Sequence, residues 1–373
     1  MPGPRNKEKK KKTKDAKQPN RQMGSLFIQK LPLEIRLEIY SHLFASTRLV
    51  WGERALSRIG RQRIASVPNT IAILRTCRQI RAEIGTIWLH QVLFCFESPE
   101  AMLNKLANIP IATRALVRHV RVSGDPLMLS WEDDDVYYRT HQVLKLLPGL
   151  ALDRLTILGS RVPEVCYETL DKLVHHGTGW KELYYLSHNS TFLGYEHEWF
   201  AAVGDPDEDR YLRVPQPAGW QRVLEKRDSA GTGASVTIFR ASSRTSCSVL
   251  LQPATRAAFV QTLPPGKDLA TFGKEEDAAV MAPGEREKEV LVIVRRGRGV
   301  DYAEKENSHY LKDGDIREDS PGKSWKQIKA GQDKLLSNDD DDFFSDDEDD
   351  PPVVENYTCV DEYVWPPLHF QPK

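Results

Sequence analysis

The clearest amphipathic pattern in the chain lies near its start, where apolar residues recur at every fourth position. The spacing predicts a helix over residues 27–44. Pro32 suits the first helical turn, because no intrahelical acceptor awaits a backbone N–H there. One side of this helix carries an apolar stripe formed by Leu31, Ile35, Ile39 and Leu43. The other side is expected to face water with the charged residues Glu34, Arg36 and Glu38.

A second amphipathic pattern predicts one helix over residues 73–89. Its apolar side combines Ile73, Cys77, Ile80, Ile84, Ile87 and Trp88. The stretch between the two helices, residues 45–70, carries five arginines interrupted by Gly and Pro. We expect this stretch to be an exposed, partly ordered insertion.

From residue 92 onward, predicted strands alternate with predicted helices. The strands are expected at 92–96, 116–122, 152–158 and 180–186, and the helices at 99–109, 141–147 and 165–175. Such alternation favours βα units and a mainly parallel sheet. The predicted fold class is therefore α/β, with α+β as the alternative. The unit recurs about every 25–35 residues, as in irregular leucine-rich-repeat-like arrays.

Two further apolar runs predict strands at 236–240 and 290–295, which could pair at an edge of the sheet. Hydrophobic periodicity stops after residue 299. We therefore expect an α/β interaction domain over 99–299 and a disordered tail over 300–373. Three aromatic residues of that tail could still dock back onto the body: Tyr363, Trp365 and Phe370.

The two ends of the chain carry opposite charge, although the formal net charge is only -1. Residues 1–22 contain nine Lys or Arg, and residues 338–350 contain nine acidic residues. Blocks of like charge stay solvated, so residues 1–24 are also predicted to be disordered. The run of lysines at 9–12 is either a nuclear import signal or a solvated arm. Ser345 precedes several acids and is a candidate phosphorylation site for an acid-directed kinase.

The chemistry-bearing residues favour a protein without an active site. The sequence has no Gly-rich phosphate loop, no G-x-S-x-G elbow and no H-E-x-x-H motif. The group His188, Glu196, His197 and Glu198 has irregular spacing for a metal site, and the acids at 132–135 are expected in a wet loop. We therefore predict no enzyme, cofactor or metal. A single Arg/Gly-rich stretch at 295–299 is too short to predict nucleic-acid binding.

Cysteine usage and hydropathy favour an intracellular protein of the nucleus or cytoplasm. The five cysteines are scattered and lack the C-x-x-C spacing of zinc or disulfide frameworks. The charged start is unlike a signal peptide, and no run approaches the roughly 20 apolar residues that span a bilayer. We expect no membrane contact.

The two helical segments together resemble an F-box, a small helical module. The first half matches at L-P-x-E-I-R-x-x-I-Y, residues 31–40, and the second at L-R-T-C-R-Q-I-R-x-E, residues 74–83. Residues 25–98 are accordingly interpreted as an F-box-like region, with a longer stretch between its halves than usual. The combination is similar to a group of fungal F-box-like proteins.

The resemblance implies a non-catalytic substrate receptor of a Skp-cullin-F-box-type ubiquitin ligase. It implies binding of a Skp-type adaptor, and an unknown protein substrate would be held by the α/β region. The implied adaptor contacts are Leu31, Pro32, Leu33, Ile35, Ile39, Leu43, Cys77 and Ile80.

The alternative is an adaptor-independent interaction scaffold in which the helices are purely structural. In that case the apolar stripe would pack on the chain's own α/β core. Exposure distinguishes the two interpretations, because a contiguous exposed apolar patch is unusual unless it has a function.

Overall fold

The computed structural model describes residues 25–55, 61–62, 71–131, 134–160, 162–194, 218–242, 256–260, 280, 282–312 and 314–332. The helices in these ranges are α1 Leu26–Lys30, α2 Leu33–Ala45, α3 Ile73–Thr76, α4 Arg78–Ile84, α5 Ile87–Gln91, α6 Pro99–Leu106, α7 Ile111–Arg114, α8 Thr140–Val143, α9 Pro163–His176, α10 Ala218–Asp228, α11 Ile316–Asp319 and α12 Trp325–Gln332. Short 3₁₀ turns occupy Leu144–Leu146 and Thr191–Gly194.

The strands are β1 Arg48–Trp51, β2 Arg54–Ala55, β3 Arg61–Gln62, β4 Leu93–Phe96, β5 His119–Ser123, β6 Leu127–Trp131, β7 Asp134–Tyr138, β8 Leu152–Leu158, β9 Trp180–Ser187, β10 Ser235–Ala241, β11 Arg256–Ala258 and β12 Val290–Arg295. Eight of them form one sheet in the order β1-β4-β5-β8-β9-β12-β10-β11. In this sheet β1, β4, β5, β8 and β9 run parallel, and β12, β10 and β11 are antiparallel to their neighbours. This mixed sheet with its helices confirms the predicted α/β class.

The helices pack on one face of the sheet because of how the strands are added. Each parallel strand in the series β1, β4, β5, β8 and β9 lies beside the one before it. Crossovers between parallel strands are almost always right-handed, so successive additions at the same edge place their helices on the same side. The large core lies there, and it joins strand residues such as Leu155 and Leu183 to helix residues such as Leu103 and Leu170.

Local sequence signals explain where several of these elements begin. The hydroxyl of Ser98 accepts a hydrogen bond from the Ala101 N–H, and Pro99 occupies the first turn of α6. Pro163 has the same position in α9. Buried strands such as β4 and β12 are runs of apolar residues, as expected of strands covered on both faces.

The predicted division at residues 98 and 99 does not separate two structural units. The stretch predicted as an insertion contributes β1, which pairs in parallel with β4 in the main sheet. The F-box-like region therefore supplies two strands to the same sheet as the region that follows it.

The predicted start of the disordered tail at residue 300 is also wrong, because residues 300–312 and 314–332 pack on the body. Glu304 is buried and accepts hydrogen bonds from the Nζ of Lys145 at 3.1 and 3.2 Å. Trp325 is buried, and its Nε1 donates to Asn104 on α6 at 2.9 Å. These contacts fix the segment across the helical side, whereas residues 333–373 lie outside the described part of the chain.

A buried ion pair joins the end of α10 to the segment after β12. The guanidinium of Arg296 contacts both carboxylate oxygens of Asp228, at 2.7 Å for each, and the Gly297 N–H also donates to Asp228. The side chain of Asp228 is fully buried. Burial would raise the pKa of Asp228, but the hydrogen bonds from Arg296 and Gly297 outweigh it and hold that pKa below its ordinary value.

We expect Asp228→Ala to lower the free energy of unfolding by about 3–5 kcal/mol, because it leaves Arg296 buried without its counter-ion. The measurement is urea denaturation of the purified chain. Asp301→Ala is the matched control, since it removes an ion pair with Lys305 in which both side chains are exposed. An equal effect of the two substitutions would contradict the structural role of Asp228.

A buried histidine makes the stability of the fold depend on pH. His141 on α8 is buried, and desolvation together with nearby positive charges lowers its pKa to about 3. Its Nδ1 has no hydrogen-bond partner among the described residues. Because the unfolded chain binds a proton at this site below about pH 6.5 and the folded chain does not, acidification favours unfolding.

Replacing His141 with leucine should reduce the loss of stability between pH 7.5 and pH 5 by about 2 kcal/mol. Denaturation curves at the two pH values test this expectation. Thr140→Val, at a buried neighbouring position that does not titrate, should keep the native pH dependence. If His141→Leu and the native chain lose the same stability on acidification, the histidine is not the cause.

Candidate protein-binding site

Helix α2 presents an apolar stripe to the outside of the protein. The exposed fractions of its large apolar side chains are 44% for Leu33, 44% for Ile35, 39% for Ile39 and 36% for Leu43. These residues are spaced by about one helical turn, so Ile35, Ile39 and Leu43 lie in one row. Pro32 is exposed beside them, and Leu31 is half-buried.

The row one position further along α2 faces inward and holds the helix in place. Arg36, Tyr40 and Phe44 are buried, and the ring of Tyr40 lies 6.0 Å from that of Phe27 on α1. Phe44 and Tyr40 belong to the main core. The prediction that Arg36 faces water is therefore wrong, whereas Glu34 and Glu38 are exposed as expected.

Arg36 is buried because polar groups from three segments satisfy its guanidinium. It contacts both carboxylate oxygens of Glu83 on α4, at 2.7 and 3.1 Å. Its Nη1 donates to the backbone oxygens of Ile28 and Leu31. The network therefore ties together α1, the Leu-Pro turn, α2 and α4, and it joins the two halves of the motif.

Two further side chains complete the environment of Glu83. The Tyr40 hydroxyl donates to Glu83 at 3.1 Å, and the Gln79 amide donates to it at 3.0 Å. Burial would raise the pKa of Glu83, but the bonds from Arg36, Gln79 and Tyr40 lower it below its ordinary value. Burial, followed by the contact with Glu83, raises the pKa of Tyr40 to about 12. The network thus holds an anionic carboxylate and a neutral phenol at neutral pH.

The second half of the motif forms three short helices, which corrects the prediction of a single helix over 73–89. The chain is extended at Cys77 and has a positive φ of 51° at Gly85. Cys77 is half-buried, and its Sγ caps α4 by accepting a hydrogen bond from the Ile80 N–H at 3.3 Å. Ile80 is only 8% exposed and packs in the core. Cys77 therefore caps α4 and Ile80 packs in the core, and neither residue forms part of the exposed stripe.

Other residues singled out in the sequence are not brought together into a chemical site. His188 contacts Asn189, whereas Glu196, His197 and Glu198 lie outside the described residues. Asp134 and Asp135 belong to β7 rather than to a loop, and residues 132–133 are not described. Arg296 of the Arg/Gly-rich stretch is occupied by Asp228. Ser345 also lies outside the described residues.

The described residues include neither a cluster suited to a metal ion nor a membrane-spanning helix. No group of three or more His, Cys, Asp or Glu residues within the described ranges has the arrangement of a metal site. Among the helices described, none combines the length and apolar character needed to cross a membrane.

Comparisons with family models, curated proteins and solved structures found no match for this chain. The interpretation of the exposed stripe as a protein-binding site therefore depends on its geometry and on the motif residues.

We expect Glu83→Ala to lower the thermal unfolding midpoint by several degrees, because it removes the acceptor of Arg36, Tyr40 and Gln79. The dependence of the unfolding midpoint on pH should also come from Glu83. Since the folded pKa of Glu83 is depressed, its contribution is present at neutral pH and is lost as the pH falls through that lowered value. Differential scanning calorimetry at neutral and acidic pH measures both effects.

The exposed Glu34→Ala on α2 is the matched control, and it should change the midpoint little. An unchanged midpoint in Glu83→Ala would mean that the network does not hold α2 in place.

Proposed function

We propose that this chain is a non-catalytic protein-interaction subunit whose α2 stripe binds a Skp-type adaptor of a cullin-based ubiquitin ligase. The observation that carries the proposal is the exposure of Ile35, Ile39 and Leu43 on a helix whose adjacent row is buried. Contiguous apolar surface is costly to leave in water and is typical of protein-binding sites. The resemblance of the Leu-Pro start and the L-R-T-C-R-Q segment to an F-box supplies the class of partner.

The geometry of the site suits the insertion of a helix into a groove. In this mode an amphipathic helix lays residues spaced by three or four positions into an apolar cleft of the partner. The Arg36–Glu83 network keeps α2 folded and oriented before binding. Such preorganisation lowers the entropic cost of association, so a short stripe can yield useful affinity.

In this proposal the rest of the chain positions a protein substrate and makes no covalent bond itself. The lysines of that substrate would be held near the ubiquitin carrier that the ligase recruits. The proposal places the protein inside the cell, in the nucleus or the cytoplasm.

The alternative is an adaptor-independent interaction scaffold whose F-box-like helices are purely structural and whose charged tails bind the partners. The continuity of the F-box-like helices with the sheet favours this alternative over a detachable module, since β1 follows α2 directly and pairs with β4. The two proposals differ in the role of the α2 stripe and in the partner.

Binding to a purified Skp-type adaptor separates them. We expect the native chain to bind and the double variant Ile35→Asp, Ile39→Asp to bind about 100-fold more weakly, because the variant brings two charges into an apolar contact. Isothermal titration calorimetry measures the affinity. Both residues are exposed, so circular dichroism of the variant should match that of the native chain.

The matched control is the double variant Ile111→Asp, Val162→Asp. Each of these side chains is 44% exposed, and each lies far along the chain from α2. The control should bind like the native chain. Failure of the native chain to bind would reject the adaptor proposal and leave the scaffold alternative, and equal binding by both double variants would reject the stripe as the contact.

A further inference from the structure

The α2 stripe has a different neighbour on each of its two flanks. Consecutive residues of an α-helix are turned by about 100° about its axis, so the rows one position before and one position after the stripe lie directly beside it. The preceding row contains Glu34 and Glu38, whose side chains are exposed. The following row contains Arg36, Tyr40 and Phe44, which are buried. The stripe is therefore bordered by two acids on one flank and by the element that packs on the buried row on the other.

Helix α4 packs on the start of the buried row and forms the second flank. Glu83 accepts hydrogen bonds from the guanidinium of Arg36 and from the hydroxyl of Tyr40, so its side of α4 faces α2. Ile80 is buried in the core on a second side of the helix. The remaining side of α4 faces outward and continues the outer surface that the stripe begins.

The outward side of α4 carries positive charge that is not neutralised locally. Arg78 and Arg81 are exposed on this helix, and Arg75 is exposed at the end of α3. We call these three arginines the basic row. Within the part of the chain that the structure describes, no group forms a hydrogen bond or an ion pair with their side chains. Arg78 belongs to the row directly before that of Glu83, so it is on the side of α4 that borders the stripe.

The amino-acid sequence around the basic row supplies no counter-ion. Residues 54–82 contain seven arginines and no Asp, Glu or Lys. The nearest acids along the chain are Glu53 and Glu83. Glu83 already pairs with Arg36, at 2.7 Å from its Nη2. The flank formed by α4 is therefore positive, whereas the opposite flank of the stripe is negative.

We propose that the Skp-type adaptor bound by the α2 stripe is acidic where it meets α4, with carboxylates along that border of its apolar cleft. This inference rests on the proposed function and adds the charge and orientation of the partner. Complementary charges fix the register of an interface and disfavour wrong arrangements. An adaptor turned by 180° on the stripe would bring its carboxylates against Glu34 and Glu38. The order of acids, apolar row and arginines therefore selects one orientation.

The same surface suits an acidic protein better than a nucleic acid. Phosphate groups carry negative charge along the whole length of a nucleic acid, so a strand lying across the site would meet Glu34 and Glu38 as well as the basic row. Bases stack on aromatic side chains, whereas the side chains of the stripe are aliphatic. An apolar cleft with a single acidic border matches both the stripe and its two unlike flanks.

The kinetics of association give a direct test, because exposed charges at the rim of an interface act mainly on the association rate. Stopped-flow mixing of the full chain with fluorescently labelled, purified Skp-type adaptor measures this rate. In about 0.1 M salt, the double variant Arg78→Glu, Arg81→Glu should associate about tenfold more slowly than the native chain, with dissociation changed less than about twofold. In about 1 M salt the native chain should slow by a similar factor, because the Debye length falls from about 10 to about 3 Å.

The matched control is the double variant Arg222→Glu, Lys226→Glu. Both side chains are exposed on α10, and the substitutions change the net charge by the same amount as those on α4. The control should associate like the native chain. The neutral variant Arg78→Gln, Arg81→Gln should slow association by a smaller factor than the charge reversal, and its circular dichroism should match that of the native chain.

The outcomes separate this inference from the proposed function. No binding by the native chain at any salt concentration would reject the adaptor and this inference together. Binding at a rate that does not respond to salt, or equal slowing by the charge-reversed variants of α4 and α10, would overturn the inference and leave the stripe as the contact. If charge reversal on α4 alters the circular dichroism, a native association rate in the neutral variant would overturn it instead.

A poly-uridine RNA serves as the probe for the other class of partner. The native chain should not bind it in about 0.1 M salt, a concentration at which binding to phosphates is still strong for proteins that use it. Binding of the RNA by the native chain that is lost in Arg78→Glu, Arg81→Glu would assign the basic row to nucleic acid and overturn the inference.

Discussion

Right-handed crossover between parallel strands is the constraint on which the rest of this structure depends. Five parallel strands are added one after another at the same edge, so their connecting helices accumulate on one side. That side forms the main core, and the opposite side is left to strand residues among those described. The inner row of α2 packs into this core through Tyr40 and Phe44, and the stripe on its other side stays exposed.

Three buried ion pairs join segments that are distant in the chain. Arg36 and Glu83 join α2 to α4. Lys145 and Glu304 attach the segment after β12 to the helical side, and Asp228 and Arg296 attach that segment to α10. An unpaired buried charge is costly, so each pair favours one arrangement of its two segments. These pairs hold the helical layer in register around the apolar core.

Short-range patterns predicted the sheet well. The strand at 152–158 was predicted with its observed bounds, and the pairing of the strands near 236 and 290 is confirmed. Prediction failed where a residue's partner is distant in sequence. The pattern predicts that Arg36 faces water, because nothing local identifies Glu83, 47 residues away, as its partner. The segment after residue 300 has weak periodicity and is ordered by contacts such as Trp325 with Asn104.

The alternation of strands and helices follows from the amino-acid pattern alone, because the period of apolar residues reflects local backbone geometry. The same pattern shows that α2 has an apolar stripe at every fourth residue. Which row of α2 turns inward depends on long-range packing: the row containing Tyr40 is buried, and the row containing Ile39 is exposed. Both rows hold apolar residues, so the choice depends on which row finds a packing partner and a counter-ion. Glu83 and Phe27 supply these partners to the inner row, and they are brought to α2 only when the chain folds.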